Sequence, residues 1–166
     1  MTTTAEPADE HARAWESALR LLNYRERSRK EIFDKLAGKG YSAAAIGTVV
    51  ERLTRLDLLD DEKFARLWVR SRVRFRPRAA WLIGRELRAK GIEEGLARRV
   101  MDEEMPPDRE REAVREMAKK RARYYRGEPP DAARRKLFFY LARRGFASDT
   151  IRECIDDLVG GDEHGE

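Results

Sequence analysis

The residues in this sequence that are best suited to bind a ligand are arginines, which recur at every second position from Arg70 to Arg78. Guanidinium groups form paired hydrogen bonds with phosphates and carboxylates, so a cluster of them can bind a polyanion. The stretch from Asp61 to Lys90 carries ten basic residues against three acidic ones. It predicts a surface for DNA or an acidic partner, with a solvated helix face as the alternative. The candidate binding residues here are Arg70, Arg72, Arg74, Arg76, Arg78, Arg85 and Lys90.

A second basic and aromatic cluster lies later in the chain, where two tyrosines follow one another among cations. Its members are Lys119, Lys120, Arg121, Arg123, Tyr124, Tyr125 and Arg126. The pattern fits a binding patch and a solvated helix end equally well. Lys120, Arg123 and Tyr124 join the candidate binding residues.

No arrangement of residues typical of an enzyme is found. His11 and His164 both fall in predicted tails, so neither histidine is placed as a base or a metal ligand. The chain lacks the paired cysteines of a zinc site and the G-x-S-x-G turn of a serine nucleophile. Gly38-Lys39-Gly40 lacks the preceding glycine and strand of a phosphate-binding loop. The sequence therefore predicts a protein that is not an enzyme and uses no metal or other cofactor.

The first arginine cluster lies in a stretch that predicts two helices separated by Pro77. Proline disfavours the helical conformation in the residue before it and suits a helix start, so the first helix should end near that point. Phe64, Trp68 and Phe75 fall close to one stripe of the first helix. We expect Trp68, and Trp81 of the second helix, to pack in the core.

Residues 69–76 alternate with a period of two, which by itself is typical of a half-buried strand. No second strand-like run is available to pair with this segment, and a lone strand would leave its backbone unpaired, so a helix is favoured. On a helix, Arg70, Arg74 and Arg78 share one side, with Arg72 and Arg76 roughly opposite. The arginines would then flank the apolar stripe.

A three-helix pattern occurs three times along the chain. Each copy contains the motif Leu-x-x-basic-Gly-apolar, which places a glycine at Gly40, Gly91 and Gly145. A cation before a glycine is typical of a helix C-terminus, and the helix dipole alone explains Lys39, Lys90, Arg143 and Arg144. The sequence thus predicts an all-α fold, an elongated tandem array of three three-helix repeats. The expected segments are a disordered N-terminal tail over 1–11, repeats over 12–59, 60–105 and 106–159, and a polar C-terminal tail over 160–166.

Two serines are predicted to begin helices. Ser28 and Glu31 have the spacing of a capping box, in which the serine accepts from a first-turn amide and the glutamate reaches back to the serine. Ser42 can cap the following helix in the same way. These signals place helix starts inside the first repeat.

The composition sets outer limits on function. The chain has 166 residues, of which 40% are charged, and a formal net charge of +5. This balance suits a nucleoprotein or polyanion partner, or simply a solvated helical surface. Cys154 is the only cysteine, so a disulfide framework is excluded. Neither a signal peptide nor an apolar run of membrane-spanning length is found, which predicts a cytoplasmic protein that we expect to be a monomer.

A series of short motifs occurs in a fixed order along the chain. The central motifs are Leu58-Leu59-Asp60-Asp61-x-x-Phe64-Ala65, Val69-Arg70, Pro77 and Glu86-Leu87-x-x-Lys90-Gly91-Ile92. Ser28-x-x-Glu31 precedes them and Leu141-x-x-Arg144-Gly145-Phe146 follows them. This series resembles the RecX family of recombinase regulators, with the two outer motifs similar to its first and last repeats. The resemblance covers roughly Trp15 to Leu158.

This resemblance implies a string of three-helix repeats that binds the RecA filament in its groove and inhibits strand exchange, ATP hydrolysis and repressor cleavage. Some members of the family also bind DNA, so the implied partners are the RecA filament and single- or double-stranded DNA. The family offers no catalytic residues and no compact contact motif, so the binding residues named above depend on the basic clusters. The alternatives are a direct DNA-binding regulator of helix-turn-helix type and a purely structural helical adaptor.

Overall fold

The structure, a computed structural model, describes residues 7–160. Over this range the chain forms nine α-helices and one 3-10 turn, η1, and it contains no strand. The helices are α1 Pro7–Tyr24, α2 Arg29–Ala37, α3 Ala43–Arg55, α4 Asp61–Phe75, α5 Ala80–Ala89, α6 Glu94–Glu104, α7 Pro107–Ala122, α8 Pro130–Ala142 and α9 Ser148–Gly160, with η1 at Arg123–Tyr125. The all-α prediction is confirmed, including the helical form of the alternating segment up to Phe75.

The repeat glycines end the middle helix of each group of three. Gly40, Gly91 and Gly145 have φ angles of 86°, 79° and 85°, in the left-handed region that glycine adopts without a steric penalty. Each therefore closes a helix in the way the repeated motif predicts. The helices α1–α3, α4–α6 and α7–α9 correspond to the three predicted repeats.

The chain divides into two compact units, and the second repeat contributes to both. The first unit contains the described residues up to Trp68 together with Glu86–Ala97. Burial of apolar side chains from α1, α2 and α3 provides its core. The core residues are Ala14, Ala18, Ile32, Leu36, Ile46, Val49, Leu53 and Leu59.

The second unit contains Val69–Arg85 and the described residues from Arg98 onward. Its core is built mainly by α7, α8 and α9. The buried residues are Ala79, Val114, Met117, Ala118, Leu137, Leu141, Phe146, Ile151, Cys154 and Ile155. Cys154 is thus a packed thiol, and its burial raises its pKa.

Both predicted serine caps are confirmed, but only one of the two bonds expected in the capping box is formed. The Oγ of Ser28 accepts from the Glu31 amide at 3.1 Å, and the Oγ of Ser42 accepts from the Ala45 amide at 3.3 Å. The Glu31 carboxylate was expected to reach back to Ser28, and it bonds instead to Arg25 and Lys90. Charge-assisted hydrogen bonds of this kind are stronger than a bond to a neutral amide.

The N-terminal boundary differs from the expectation of a disordered tail through His11. Helix α1 begins at Pro7, so residues 7–11 are helical. The Glu10 carboxylate accepts hydrogen bonds from the amide and the hydroxyl of Ser42, at 2.7 and 2.9 Å. These bonds hold the first turns of α1 against the start of α3. The rest of the expected tails, 1–6 and 161–166, lies outside the described residues.

Two aromatic residues are exposed, Phe75 of the predicted apolar stripe and Trp81, which was expected to pack in the core. Phe75 is 70% exposed because it is the last residue of α4, next to the break at Pro77. Trp81 is 57% exposed, and its indole Nε1 donates to the main-chain oxygen of Gly145 at 2.9 Å. Phe64 is buried and Trp68 half-buried, stacked with ring centroids 5.8 Å apart.

Candidate polyanion interface

A groove of about 630 Å³ in the second unit gathers basic side chains from four parts of the chain. It lies between the end of α4, the α4–α5 connection, α7 and the end of α8. Six of its lining residues are basic and none is acidic. The lining residues are Arg74, Phe75, Arg76, Pro77, Arg78, Leu82, Met117, Lys120, Tyr140, Arg143 and Arg144. We call this feature the basic groove.

The α4–α5 connection is fixed in place by two backbone hydrogen bonds. The Ala79 amide donates to the main-chain oxygen of Arg144 at 3.0 Å. The next amide, that of Ala80, donates to the Glu110 carboxylate at 2.8 Å. Because Pro77 ends α4, the chain on either side of it reaches the basic groove from a short connection rather than from a helix. Arg76 and Arg78 therefore lie on a connection whose position is set by hydrogen bonds to Arg144 and Glu110.

The charged residues that line the basic groove are all cations. Arg74, Arg76, Lys120 and Arg143 are exposed at its surface. Elsewhere in the same unit, surface arginines are paired with acidic residues. These pairs are Arg111 with Asp108 at 3.5 Å, Arg115 with Asp157 at 3.4 Å and Arg152 with Asp149 at 3.5 Å. A concave surface lined by one sign of charge concentrates ligands of the opposite sign, here polyanions.

The structure brings four of the predicted binding residues together in the basic groove, namely Arg74, Arg76, Arg78 and Lys120. The helical argument behind their grouping was wrong in one respect. Arg78 was expected to share a side of one helix with Arg70 and Arg74, but α4 ends at Phe75. Arg78 lines the basic groove because of the turn at Pro77.

Arg70 has a structural partner instead of a place in the basic groove. Its guanidinium forms a two-pronged pair with the Glu104 carboxylate, with distances of 2.9 Å from Nε and 2.7 Å from Nη2. Glu104 is only 7% exposed, so this pair satisfies a nearly buried carboxylate. Arg72 is half-buried on α4 and does not line the basic groove.

Lys90 lies in the first unit, where its ammonium group is engaged internally. The Nζ donates to Glu31 at 2.5 Å and lies 4.2 Å from the centre of the Trp68 ring. Arg25 donates to both oxygens of the same carboxylate, at 2.9 and 3.0 Å. Burial raises the pKa of Glu31, but the hydrogen bonds from Arg25 and Lys90 outweigh it and lower that pKa to about 2. Lys90 thus contacts other residues of the first unit, Glu31 and Trp68.

The three remaining predicted residues are exposed but outside the lining of the basic groove. The Arg85 guanidinium lies 5.5 Å from the Trp81 ring centre on α5. Arg123 and Tyr124 belong to η1, and Tyr124 is 75% exposed. Their assignment as binding residues stays a prediction from the sequence.

Sequence reasoning missed Tyr140, Arg143 and Arg144 as lining residues of the basic groove. The two arginines were attributed to the dipole of the helix that precedes Gly145. Their approach to the α4–α5 connection depends on a hydrogen bond between Ala79 and Arg144, far apart in sequence. The only sequence signal for the two arginines was their place before the glycine of the repeated motif. That motif does not indicate which distant residues they approach.

Neither a metal site nor a membrane span is found within the described part of the chain. No group of three or more histidine, cysteine, aspartate or glutamate side chains is placed to hold a metal ion there. None of the helices between residues 7 and 160 is long and apolar enough to cross a bilayer.

Comparison with known families gives three matches that follow the repeats. Residues 14–53 match the first three-helix domain of RecX, residues 60–101 the second and residues 108–155 the third. The three matches together cover most of the chain.

Individual proteins show the same similarity. Regulatory protein RecX of Corynebacterium efficiens is 36% identical over 163 residues, covering 93% of this chain and 77% of that protein. Regulatory protein RecX of Chlorobium phaeobacteroides is 38% identical over 146 residues, covering 88% and 93%. The crystal structure of RecX from Lactobacillus salivarius superposes with a TM-score of 0.77 at 27% identity, covering 91% of this chain and 97% of that one.

Proposed function

The chain belongs to the RecX family, and from this premise we propose that it binds the RecA–DNA filament and inhibits its activities. The inhibited activities are strand exchange, ATP hydrolysis and repressor cleavage. The protein would act in the cytoplasm, as a monomer without catalytic activity, on DNA recombination and repair and on the SOS response. The relatives named above carry the description of a regulatory protein.

The observation that carries this proposal is the basic groove with six cations and no acid in its lining. A nucleoprotein filament presents DNA phosphates along its length, and cations that meet phosphates release condensed counterions and so gain affinity. Guanidinium groups also pair with the carboxylates of a protein surface. The basic groove therefore suits a partner that combines protein and DNA.

Inhibition in this proposal requires binding alone. Anything that binds one state of an assembly better than another shifts the assembly toward the favoured state. A protein bound along the filament would favour the arrangement of RecA protomers to which it fits, at the expense of the arrangement that hydrolyses ATP and exchanges strands.

The test is the ATPase activity of RecA on single-stranded DNA, measured while this protein is titrated in. We expect inhibition far below one molecule per RecA protomer, because one bound molecule would affect many protomers of a filament. Adding the protein to preformed filaments removes simple competition for free DNA. No inhibition at any ratio would refute the proposal, and sequence-specific binding to duplex DNA in its place would favour a helix-turn-helix regulator.

A further inference from the structure

Helix α8 carries two adjacent arginines that are followed, one helical turn later, by two adjacent phenylalanines. Arg134 and Phe138 lie on one side of the helix, because residues four apart are neighbours on a helix surface. Arg135 and Phe139 lie on the adjacent side for the same reason. Phe138 is partly buried against the core of the second unit, and its ring meets that of Phe139 edge to face, with centroids 5.8 Å apart. Phe139 is 54% exposed, so a ring open to solvent rests on a neighbour that the core holds.

A pocket of about 320 Å³ lies between α8 and α9, beside these rows. We call it the α8–α9 pocket. Phe138 and Ile155 form its apolar part, and its charged residues are three arginines and one aspartate. The lining residues are Arg134, Arg135, Phe138, Arg152, Ile155 and Asp156, and none of them lines the basic groove.

The guanidinium of Arg134 has donors that its own surroundings use poorly. Its Nη1 lies 3.5 Å from Asp156 Oδ1, and the two side chains are 42% and 67% exposed. An exposed pair of this length contributes little to stability. The Nε of Arg134 is buried and finds no hydrogen-bond partner among residues 7–160. Because a buried donor without an acceptor costs free energy, an incoming acceptor is favoured at this side chain.

We propose that the α8–α9 pocket and Phe139 together form a docking surface for an acidic amphipathic helix of a partner protein. One apolar side chain of that helix enters the pocket against Phe138 and Ile155, and another covers Phe139. Its carboxylates pair with Arg134 and Arg135, whose forked guanidinium groups match the shape of a carboxylate. Amphipathic helices place their apolar face in grooves in this way, and aromatic residues and arginine are enriched where proteins meet.

The composition of this surface suits a polypeptide better than DNA. The basic groove has six cations and no acid in its lining, whereas the α8–α9 pocket includes the Asp156 carboxylate. A polypeptide supplies separate carboxylates, apolar side chains for Phe138 and Phe139, and donors for Asp156. A strand of phosphates supplies charge of one sign. The inference concerns a surface other than the basic groove and does not depend on the function proposed above.

The test measures the binding of a fluorescein-labelled model helix by anisotropy, in the absence of RecA and DNA. The probe is a peptide of alanine, leucine and glutamate in which each leucine has a glutamate one turn before and one turn after it. One control peptide has glutamine for glutamate, and the other has alanine for leucine. We expect each control to bind at least about tenfold more weakly, since losing charge-assisted hydrogen bonds or a buried leucine costs that much or more.

Variants of the protein locate the binding. Arg135→Gln and Phe139→Ala replace exposed residues, and each should weaken binding of the probe at least about fivefold. Arg134→Lys keeps the charge but cannot form a two-pronged pair, so it should weaken binding as well. The matched controls are Arg111→Gln, an exposed arginine of the same unit, and Tyr24→Ala, an 84% exposed ring of the first unit. Both should bind the probe as the wild type does, and circular dichroism checks that every variant keeps its helix content.

Several results would overturn the inference. Equal binding of the glutamine peptide would exclude the charged contacts, and equal binding of the alanine peptide would exclude the apolar ones. Arg135→Gln and Phe139→Ala variants that bind the probe as the wild type does would place the contact elsewhere. An oligothymidylate whose binding falls in these two variants, without a fall for the probe, would assign the surface to nucleic acid. RecA inhibition without probe binding would refute this inference alone, whereas probe binding at this surface without RecA inhibition would support it and refute the function proposed above.

Discussion

The hydroxyl of Ser28 donates a 2.6 Å hydrogen bond to the main-chain oxygen of Lys90, 62 residues later in the chain. Ser28 immediately precedes α2, the middle helix of the first repeat, and Lys90 immediately precedes the glycine of the second. The same relationship recurs between the second and third repeats, where the Ala79 amide donates to the oxygen of Arg144 at 3.0 Å. The second and third repeats thus each attach their glycine turn to the start of the middle helix of the preceding repeat.

A second element of the junction is an acidic cap supplied by the following repeat. The Asp61 carboxylate accepts from the Arg29 amide at 2.8 Å, and the Glu110 carboxylate accepts from the Ala80 amide at 2.8 Å. Both amides belong to the first turn of a middle helix, where donors lack partners within the helix. Several residues of the motif that resembles the RecX family, Asp61 and Lys90 among them, are therefore residues of repeat junctions.

Gly91→Ala should destabilise the protein more than Gly40→Ala. Both glycines have positive φ, so either substitution carries a backbone cost of about 1–2 kcal/mol. A β-carbon at Gly91 would also lie 2.5 Å from the β-carbon of Lys30, whereas one at Gly40 would meet nothing within 4 Å. Overpacking of this kind costs about 1–3 kcal/mol more. Urea unfolding of the two variants measures the difference, and equal destabilisation would show that Gly91 is not a junction residue.

Much of the local structure could be predicted, because its causes are local. The helical form of residues 69–75, the caps at Ser28 and Ser42 and the left-handed glycines follow from propensities and spacing within a few residues. Each of these features needs no knowledge of distant contacts.

The roles of individual basic residues could not be predicted, because they depend on partners distant in sequence. Arg70 and Arg74 share the spacing of one helix side, but Arg70 pairs with Glu104, 34 residues later, and Arg74 lines the basic groove. Trp81 has the spacing of a core residue, and Gly145, 64 residues later, accepts a hydrogen bond from its indole nitrogen. Arg143 likewise lines the basic groove because the fold brings it close to residues that are distant in sequence.

Glu31 should make the stability of the protein sensitive to acid. Its pKa is lowered in the folded chain to about 2, from an ordinary value of 4.5. A carboxyl with a lowered pKa stabilises the folded state above its unfolded pKa, and this contribution is lost as the pH falls. Between about pH 5 and pH 2, the free energy of unfolding of the wild type should fall relative to that of Glu31→Gln, by up to about 3 kcal/mol.

The measurement is chemical unfolding of both proteins across this pH range. Glu51→Gln removes an exposed carboxylate of α3 and controls for the loss of one surface charge. A difference between wild type and Glu31→Gln that stays constant from pH 5 to pH 2 would mean that the pair with Arg25 and Lys90 does not form.

Arg70→Gln should reduce stability and leave RecA inhibition largely unchanged. The substitution leaves the Glu104 carboxylate, whose side chain is 9% exposed, without its two-pronged partner. We expect a loss of about 1–3 kcal/mol in the free energy of unfolding. The control is Arg111→Gln, whose partner Asp108 has a 96% exposed side chain and whose pair should contribute less than about 1 kcal/mol. Similar stability losses in the two variants would contradict a structural role for Arg70.

The most direct test of the central claim, that the basic groove binds the RecA–DNA filament, compares two triple variants in the RecA ATPase assay. One replaces Arg76, Lys120 and Arg143 of the basic groove by glutamine, and the other replaces Arg111, Arg115 and Arg152, whose acidic partners lie outside it. Each removes three positive charges from the same unit. We predict that the groove variant loses most of its inhibition at moderate salt while the control variant inhibits as the wild type does. Equal inhibition by the two variants would contradict the claim.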